Sequence, residues 1–89
     1  MKAVAITVKG KVQGVYFRAF TLKKAEELKV KGFVKNLPEG HVFIHAEGEI
    51  QAIDTIIEWC KKGPMLASVT EVLVENSEPN HFQNFTIKK

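Results

Sequence analysis

A nine-residue segment with two glycines and the chain's single arginine has the composition of an anion-binding loop. It reads Gly-Lys-Val-Gln-Gly-Val-Tyr-Phe-Arg and occupies residues 10–18. Alternating apolar residues precede it and helix-spaced apolar residues follow it, so it connects a strand to the start of a helix. The first N–H groups of a helix lack intrahelical partners, and glycines let the backbone approach a phosphate closely. The loop by itself leaves a plain glycine-containing connection as the alternative.

Arg18 differs chemically from the other cations of the chain. Of the thirteen basic residues, twelve are Lys and one is Arg. Lysine supplies diffuse positive potential, whereas a planar guanidinium can bind two oxygens of one anion. Composition alone is equally consistent with a surface arginine of no special role. The position of Arg18 in the first turn of the predicted helix favours an anion-binding role.

Asn36 is the second candidate, at the end of a predicted strand and just before a Leu-Pro-Glu-Gly turn. An amide side chain both donates and accepts hydrogen bonds, so it could position a water molecule without carrying charge. An ordinary turn-initiating asparagine is the alternative that this local context favours.

Apolar periodicity predicts the elements that would position these side chains. Period-two alternation predicts a first strand over residues 3–8. Two helices are predicted, one with Phe17, Thr21, Ala25 and Leu28 on its buried face, the other with Ile50, Ile53, Ile57 and Cys60 on one stripe, ending at Gly63-Pro64. The remaining strands are predicted over residues 32–35, 42–46, 69–74 and 85–87.

This order, β-α-β-β-α-β plus a short C-terminal strand, predicts an α+β fold of the ferredoxin-like, split β-α-β type. The sheet is expected to be mainly antiparallel, with both helices on one face. With 89 residues, 45% of them apolar, we expect one domain over residues 1–89. Val12 and Val15 are expected to anchor the loop in its core.

The composition also bears on partners and compartment. No apolar run approaches the length of a membrane span, and a single cysteine, Cys60, fits a reducing compartment, so we predict a cytoplasmic protein without a membrane partner. The net charge of +3 favours anionic partners weakly. Nothing in the sequence predicts association between copies, and a monomer is expected.

Two segments together resemble the acylphosphatase family. Residues 10–18 match its pattern G-x-V-Q-G-V-x-F-R, and residues 32–48 match G-[aromatic]-V-[basic]-N-x-x-x-G-x-V-x-x-x-x-x-G. Trp59 and Gly63-Pro64 also resemble the family's second helix and its end. The resemblance runs from about Ala3 to Lys88, and two long patterns in the right order are highly specific.

The resemblance implies an enzyme that hydrolyses acyl phosphates to a carboxylate and inorganic phosphate, without metal or other cofactor. Arg18 would match the catalytic arginine that binds the phosphoryl oxygens, and Asn36 the asparagine that orients the attacking water. The backbone amides near Arg18 would complete the cradle, those of Gln13, Gly14, Val15, Tyr16 and Phe17. A small acyl phosphate would be the substrate, and inorganic phosphate a product or competitive ligand.

Three positions depart from the family pattern. Lys11 stands where the family often has Arg, which preserves the charge. Tyr16 occupies a variable position often held by Gly or Phe, so the mouth of the site is expected to differ. Lys29 stands where many members have a helix-ending Gly, so it should adopt a left-handed conformation at some cost in free energy.

Other site classes fit the sequence less well. A cysteine phosphatase needs Arg six residues after the cysteine, where Cys60 has Leu66. His41 and His45 would lie ~13 Å apart along a strand, too far to share a metal, and are expected on the surface or facing a neighbouring strand. The segment around Phe33 is similar to an RNA-recognition octapeptide but lacks its second aromatic residue, so we predict no nucleic-acid partner.

Overall fold

The computed structural model describes every residue from Met1 to Lys89 and contains five strands and two helices. The elements follow the order β1, α1, β2, β3, α2, β4 and β5. Their bounds are β1 Lys2–Lys11, α1 Phe17–Leu28, β2 Lys31–Asn36, β3 Val42–Gly48, α2 Ile50–Lys62, β4 Ser68–Asn76 and β5 Phe85–Lys88. Each predicted element is present, and the strands extend by one to three residues beyond the predicted ends.

The five strands form one sheet in the order β4-β1-β3-β2-β5. All neighbouring pairs are antiparallel except β2 and β5, which run parallel. Helix α1 packs against β2 and β5, and α2 packs against β1, β3 and β4. The predicted ferredoxin-like class is therefore confirmed, with the C-terminal strand placed at the sheet edge beside β2.

The core lies between the sheet and the two helices. Alternate residues of β1, β2 and β3 point into it, as their period predicted, together with Phe17 and Ala25 of α1. The stripe predicted for α2 was wrong at its first residue. Ile50, the first residue of the helix, is exposed, whereas Ile53 and Cys60 are buried as predicted. Ile57 is partly buried, and Ile56 is buried in addition.

The opposite face of the sheet is crossed by residues 77–84, the crossing segment, which connects edge strand β4 to edge strand β5. Beneath it His45 and Glu47 are 4% and 1% exposed. Of the two positions predicted for His45, on the surface or facing a neighbouring strand, the second is correct: its ring stacks on Phe33 of β2 with centroids 5.9 Å apart. It is not on the surface because the crossing segment, which local periodicity cannot reveal, covers it. Neither helix is long and apolar enough to span a membrane.

Candidate active site

A cleft of about 600 Å³ opens where the loop between β1 and α1 meets the end of β2. It contains side chains from four parts of the chain. The residues that line it are Val12, Gln13, Gly14, Tyr16, Phe17, Arg18, Ala19, Asn36, Ile87 and Lys89. The two segments singled out from the sequence therefore meet in one place, although Arg18 and Asn36 are 18 positions apart.

A bulge shifts the pairing of β1 with β4 just before the loop. The register between β1 and β4 shifts between Lys9 and Gly10, where Gly10 has φ 124°. A side chain at Gly10 would collide with the backbone of the neighbouring strand, since a Cβ there would lie 2.2 Å from the carbonyl oxygen of Ser68. Val12 and Val15 then anchor the loop in the core, as predicted, at 1% and 5% exposure.

Residues with positive φ alternate with a residue of ordinary φ along the loop as it enters the helix. Gly14 has φ 75° and Tyr16 has φ 64°, whereas Val15 between them does not have positive φ. Such alternation turns successive N–H groups toward one side and makes an anion-binding concavity. Tyr16 is a non-glycine residue in a conformation that costs free energy, and such residues concentrate at functional sites.

The N-terminus of α1 opens onto this concavity. Tyr16 is its N-cap and makes no side-chain capping bond, and no acidic residue lies in the first turn. The free N–H groups and the positive end of the helix dipole are therefore not neutralised by the chain itself. An anion in the cleft would accept hydrogen bonds from these N–H groups and lie at the positive end of the dipole.

Arg18 projects into the cleft from this first turn and is half-buried. Its guanidinium takes part in none of the ion pairs or side-chain hydrogen bonds within the chain, which join other residues. All of its N–H donors are available to a ligand, in the fork geometry that matches two oxygens of a phosphoryl group.

Asn36 is the last residue of β2 and lines the same cleft. Its Oδ1 is buried and has no hydrogen-bond partner, the only side-chain oxygen or nitrogen of the chain in that condition. A buried polar atom without a partner costs on the order of 1–3 kcal/mol, so such an atom calls for an explanation. A bound water that donates to Oδ1 would supply one.

Sequence reasoning missed the side chain of Gln13. Its Nε2 donates to the carbonyl oxygens of Leu37 at 2.8 Å and His41 at 2.9 Å, and so ties the loop to the turn between β2 and β3. It also missed Ile87 and Lys89, which reach the cleft because β5 pairs with β2. Nothing local in the sequence signals either contact, since the partners lie more than 20 residues away.

The structure also shows where the predicted residues Val15 and Cys60 lie and whether side chains converge on a metal site. Val15 turns its side chain into the core, so only its backbone N–H can belong to the cradle. Cys60 is a free cysteine inside the core, where burial raises the pKa of its thiol to about 12. A thiol with so high a pKa is a poor nucleophile. No group of three or more His, Cys, Asp or Glu side chains is arranged to hold a metal ion.

Comparison with known proteins identifies similar chains. The family model for acylphosphatase matches residues 4–87. The acylphosphatase of Thermotoga petrophila is 50% identical over 88 residues, 99% of this chain and 98% of the relative. That of Methylococcus capsulatus is 43% identical over 98% of this chain and 96% of the relative. The crystal structure of an acylphosphatase from Bacillus subtilis superposes with a TM-score of 0.97 at 37% identity, with both chains fully covered.

Proposed function

The chain belongs to the acylphosphatase family, and on that premise we propose how its cleft hydrolyses an acyl phosphate. In the proposed reaction, a water held by Asn36 attacks the phosphorus atom directly. The phosphoryl group is bound by Arg18 and by the backbone N–H groups of residues 13–18. The products are a carboxylate and inorganic phosphate.

The observation that carries this proposal is the unpartnered Oδ1 of Asn36 in the cleft that Arg18 and the loop also line. The guanidinium of Arg18 and the N–H groups of the loop are donors, which suit phosphoryl oxygens. Oδ1 offers an acceptor, which suits the O–H of a water. The cleft thus combines an anion cradle with a water-binding atom, the two requirements of a hydrolytic phosphoryl transfer.

The bond changes need little from the protein beyond positioning. The water oxygen forms a bond to phosphorus while the bond from phosphorus to the acyl oxygen breaks, and that oxygen keeps the electron pair as a carboxylate. One proton of the water stays on the new phosphate as a P–OH group, and the other also stays on the phosphate or passes to solvent. Negative charge on the non-bridging oxygens is stabilised by the guanidinium and the loop N–H groups, which are already oriented toward it.

No general acid is required because the leaving group is good. A carboxylic acid has a pKa of about 4, so the departing carboxylate needs no proton at neutral pH. This explains how a cleft without a paired acid and base among its lining residues supports turnover. We further propose that the protein acts as a monomer in the cytoplasm, since the proposed site is complete within one chain and no disulfide can form within it.

One kinetic comparison tests both roles, with acetyl or benzoyl phosphate as substrate. Arg18→Lys keeps the charge but loses the fork, so we expect kcat/KM to fall by roughly 10²–10³-fold, the usual cost of a preorganised donor. Inorganic phosphate should raise the melting temperature of the wild type and barely that of Arg18→Lys. Asn36→Ala should lower kcat far more than it weakens competitive inhibition by phosphate.

The matched control is Lys11→Ala, which removes a positive charge at the start of the same segment but outside the cleft, and should keep most of the activity. A fully active Arg18→Lys that phosphate still stabilises would remove Arg18 from the site. Equal losses of kcat and phosphate affinity in Asn36→Ala would assign Asn36 to substrate binding instead of water positioning.

A further inference from the structure

We propose that the side chain of Gln13 is a positioning residue that sets Asn36 against the bound phosphoryl group. The inference rests on the proposed function, in which Asn36 holds the water. It concerns the side-chain amide of Gln13 alone, whereas the cradle uses the backbone N–H of the same residue. Gln13 would then connect the phosphate-binding loop with Asn36, the residue that holds the water.

The amide of Gln13 spans the neck of the turn between β2 and β3. Its NH₂ group has two hydrogens, and the two bonds to Leu37 and His41 use both of them. The same two residues already close the turn, since the N–H of Leu37 donates to the carbonyl of His41 at 2.8 Å. Gln13 therefore donates hydrogen bonds beside both strands' ends, where the turn begins and ends.

This point lies one residue beyond the candidate water-binding side chain. Asn36 and Val42 form the last pair in the ladder between β2 and β3, and Leu37 and His41 follow directly. Fixing those two carbonyls relative to the loop also fixes the backbone of Asn36 relative to the cradle. The distance from Asn36 to the phosphoryl site would otherwise depend on how the end of the hairpin bends.

The loop should keep its position without these bonds. Val12 and Val15, on either side of Gln13, are both buried in the core. Loss of the Gln13 amide should therefore leave the cradle in place and free the hairpin end. The consequence is a specific kinetic signature, in which water attack slows while phosphate binding persists.

Two variants remove the hydrogen bonds that Gln13 donates without shortening its side chain. Gln13→Glu points a carboxylate oxygen at two carbonyl oxygens, and Gln13→Met has no donor at all. Because a displacement of about 1 Å can cost on the order of 10²-fold, we expect kcat to fall by about 10- to 100-fold. Inhibition by inorganic phosphate should change by less than about threefold in Gln13→Met. Gln51→Met, on the exposed side of α2, is the matched control and should keep wild-type kinetics.

The decisive measurement is a double-mutant cycle with Asn36→Ala. If Gln13 acts through Asn36, Gln13→Met should lower kcat in the wild type and leave it unchanged when Asn36 is already alanine. A purely structural role would instead lower kcat in both backgrounds and weaken phosphate binding. Thermal unfolding of each variant shows whether it is folded, and Gln13→Glu provides the second test if Gln13→Met is not.

The outcomes separate the two proposals. Additive losses, or a Gln13→Met enzyme with wild-type kcat, would overturn the role of Gln13 and leave the proposed function standing. An Asn36→Ala enzyme with wild-type kcat would overturn the proposed role of Asn36, and the role of Gln13 with it.

Discussion

At the scale of single residues, the end of α1 contains the left-handed lysine that was predicted there. Lys29 has φ 60° and ψ 33°, the left-handed conformation predicted for it. The N–H of Val30 donates to the carbonyl of Ala25 and that of Lys29 to Glu26, which is the Schellman pattern of helix termination. Tyr16 and Lys29 are both exposed and left-handed, but Tyr16 lines the cleft and Lys29 does not.

Lys29→Gly should therefore stabilise the protein. Removing the Cβ relieves the left-handed strain, and we expect a gain of roughly 0.5–1 kcal/mol in the free energy of unfolding, measured with denaturant. Lys29→Ala keeps the Cβ and removes the rest of the side chain, so it should bring no such gain. Equal stability of the two variants would show that strain at this position does not limit stability.

At the scale of elements, the crossing segment is held by a buried carboxylate. Glu47 of β3 accepts hydrogen bonds from the backbone N–H groups of Asn80 and Phe82 and from Nε2 of His45, the last at 2.7 Å. The ring of Phe82 also packs on Phe33 and His45, with centroids 5.8 and 5.4 Å away. Phe33, considered above as a base-stacking residue, thus packs within an aromatic cluster under this segment.

Glu47→Gln should loosen this attachment, because an amide presents a donor where backbone donors already converge. We expect a loss of about 1–3 kcal/mol in the free energy of unfolding at pH 7. Glu75→Gln, an exposed change on β4, is the matched control and should be nearly neutral. A Glu47→Gln variant as stable as the wild type would mean that the aromatic contacts alone retain the segment.

The contribution of Glu47 should also depend on pH. Burial raises the pKa of this carboxyl, but the hydrogen bonds from Asn80, His45 and Phe82 outweigh it, and the net pKa is lowered. A lowered pKa in the folded state means that the stabilisation is complete above the ordinary glutamate value of about 4.3 and is lost as pH falls through the lowered one. The difference between wild type and Glu47→Gln should shrink over that acidic range.

At the scale of the whole molecule, the proposed chemistry relies on charge that the chain supplies itself. In the proposed mechanism, Arg18, the loop N–H groups and the dipole of α1 would all act on the phosphoryl oxygens, and the leaving group is already stable as an anion. We therefore predict that exhaustive treatment with EDTA leaves kcat and KM unchanged. A rate that collapses with EDTA and returns with Mg²⁺ would contradict the metal-free mechanism.

Local sequence features determined the element order, the loop and several turns. Period-two and helical spacing depend on which residues face the core, and they predicted every strand and helix. The end of α2 at Gly63 is equally local, since Gly and Pro stop a helix, whereas the left-handed backbone of Lys29 was predicted from the resemblance. The candidate roles of Arg18 and Asn36 came from motif and resemblance, because neither residue's neighbours in sequence reveal that the two line one cleft.

Only the tertiary structure determined which residues far apart in the sequence contact one another. The amide of Gln13 reaches carbonyls 24 and 28 residues away, and Glu47 reaches N–H groups 33 and 35 residues away. These contacts depend on the strand order β4-β1-β3-β2-β5, on its register and on the path of the crossing segment. The periodicity of a segment records which side is buried but not which segment buries it, because any apolar partner of similar shape satisfies the same pattern.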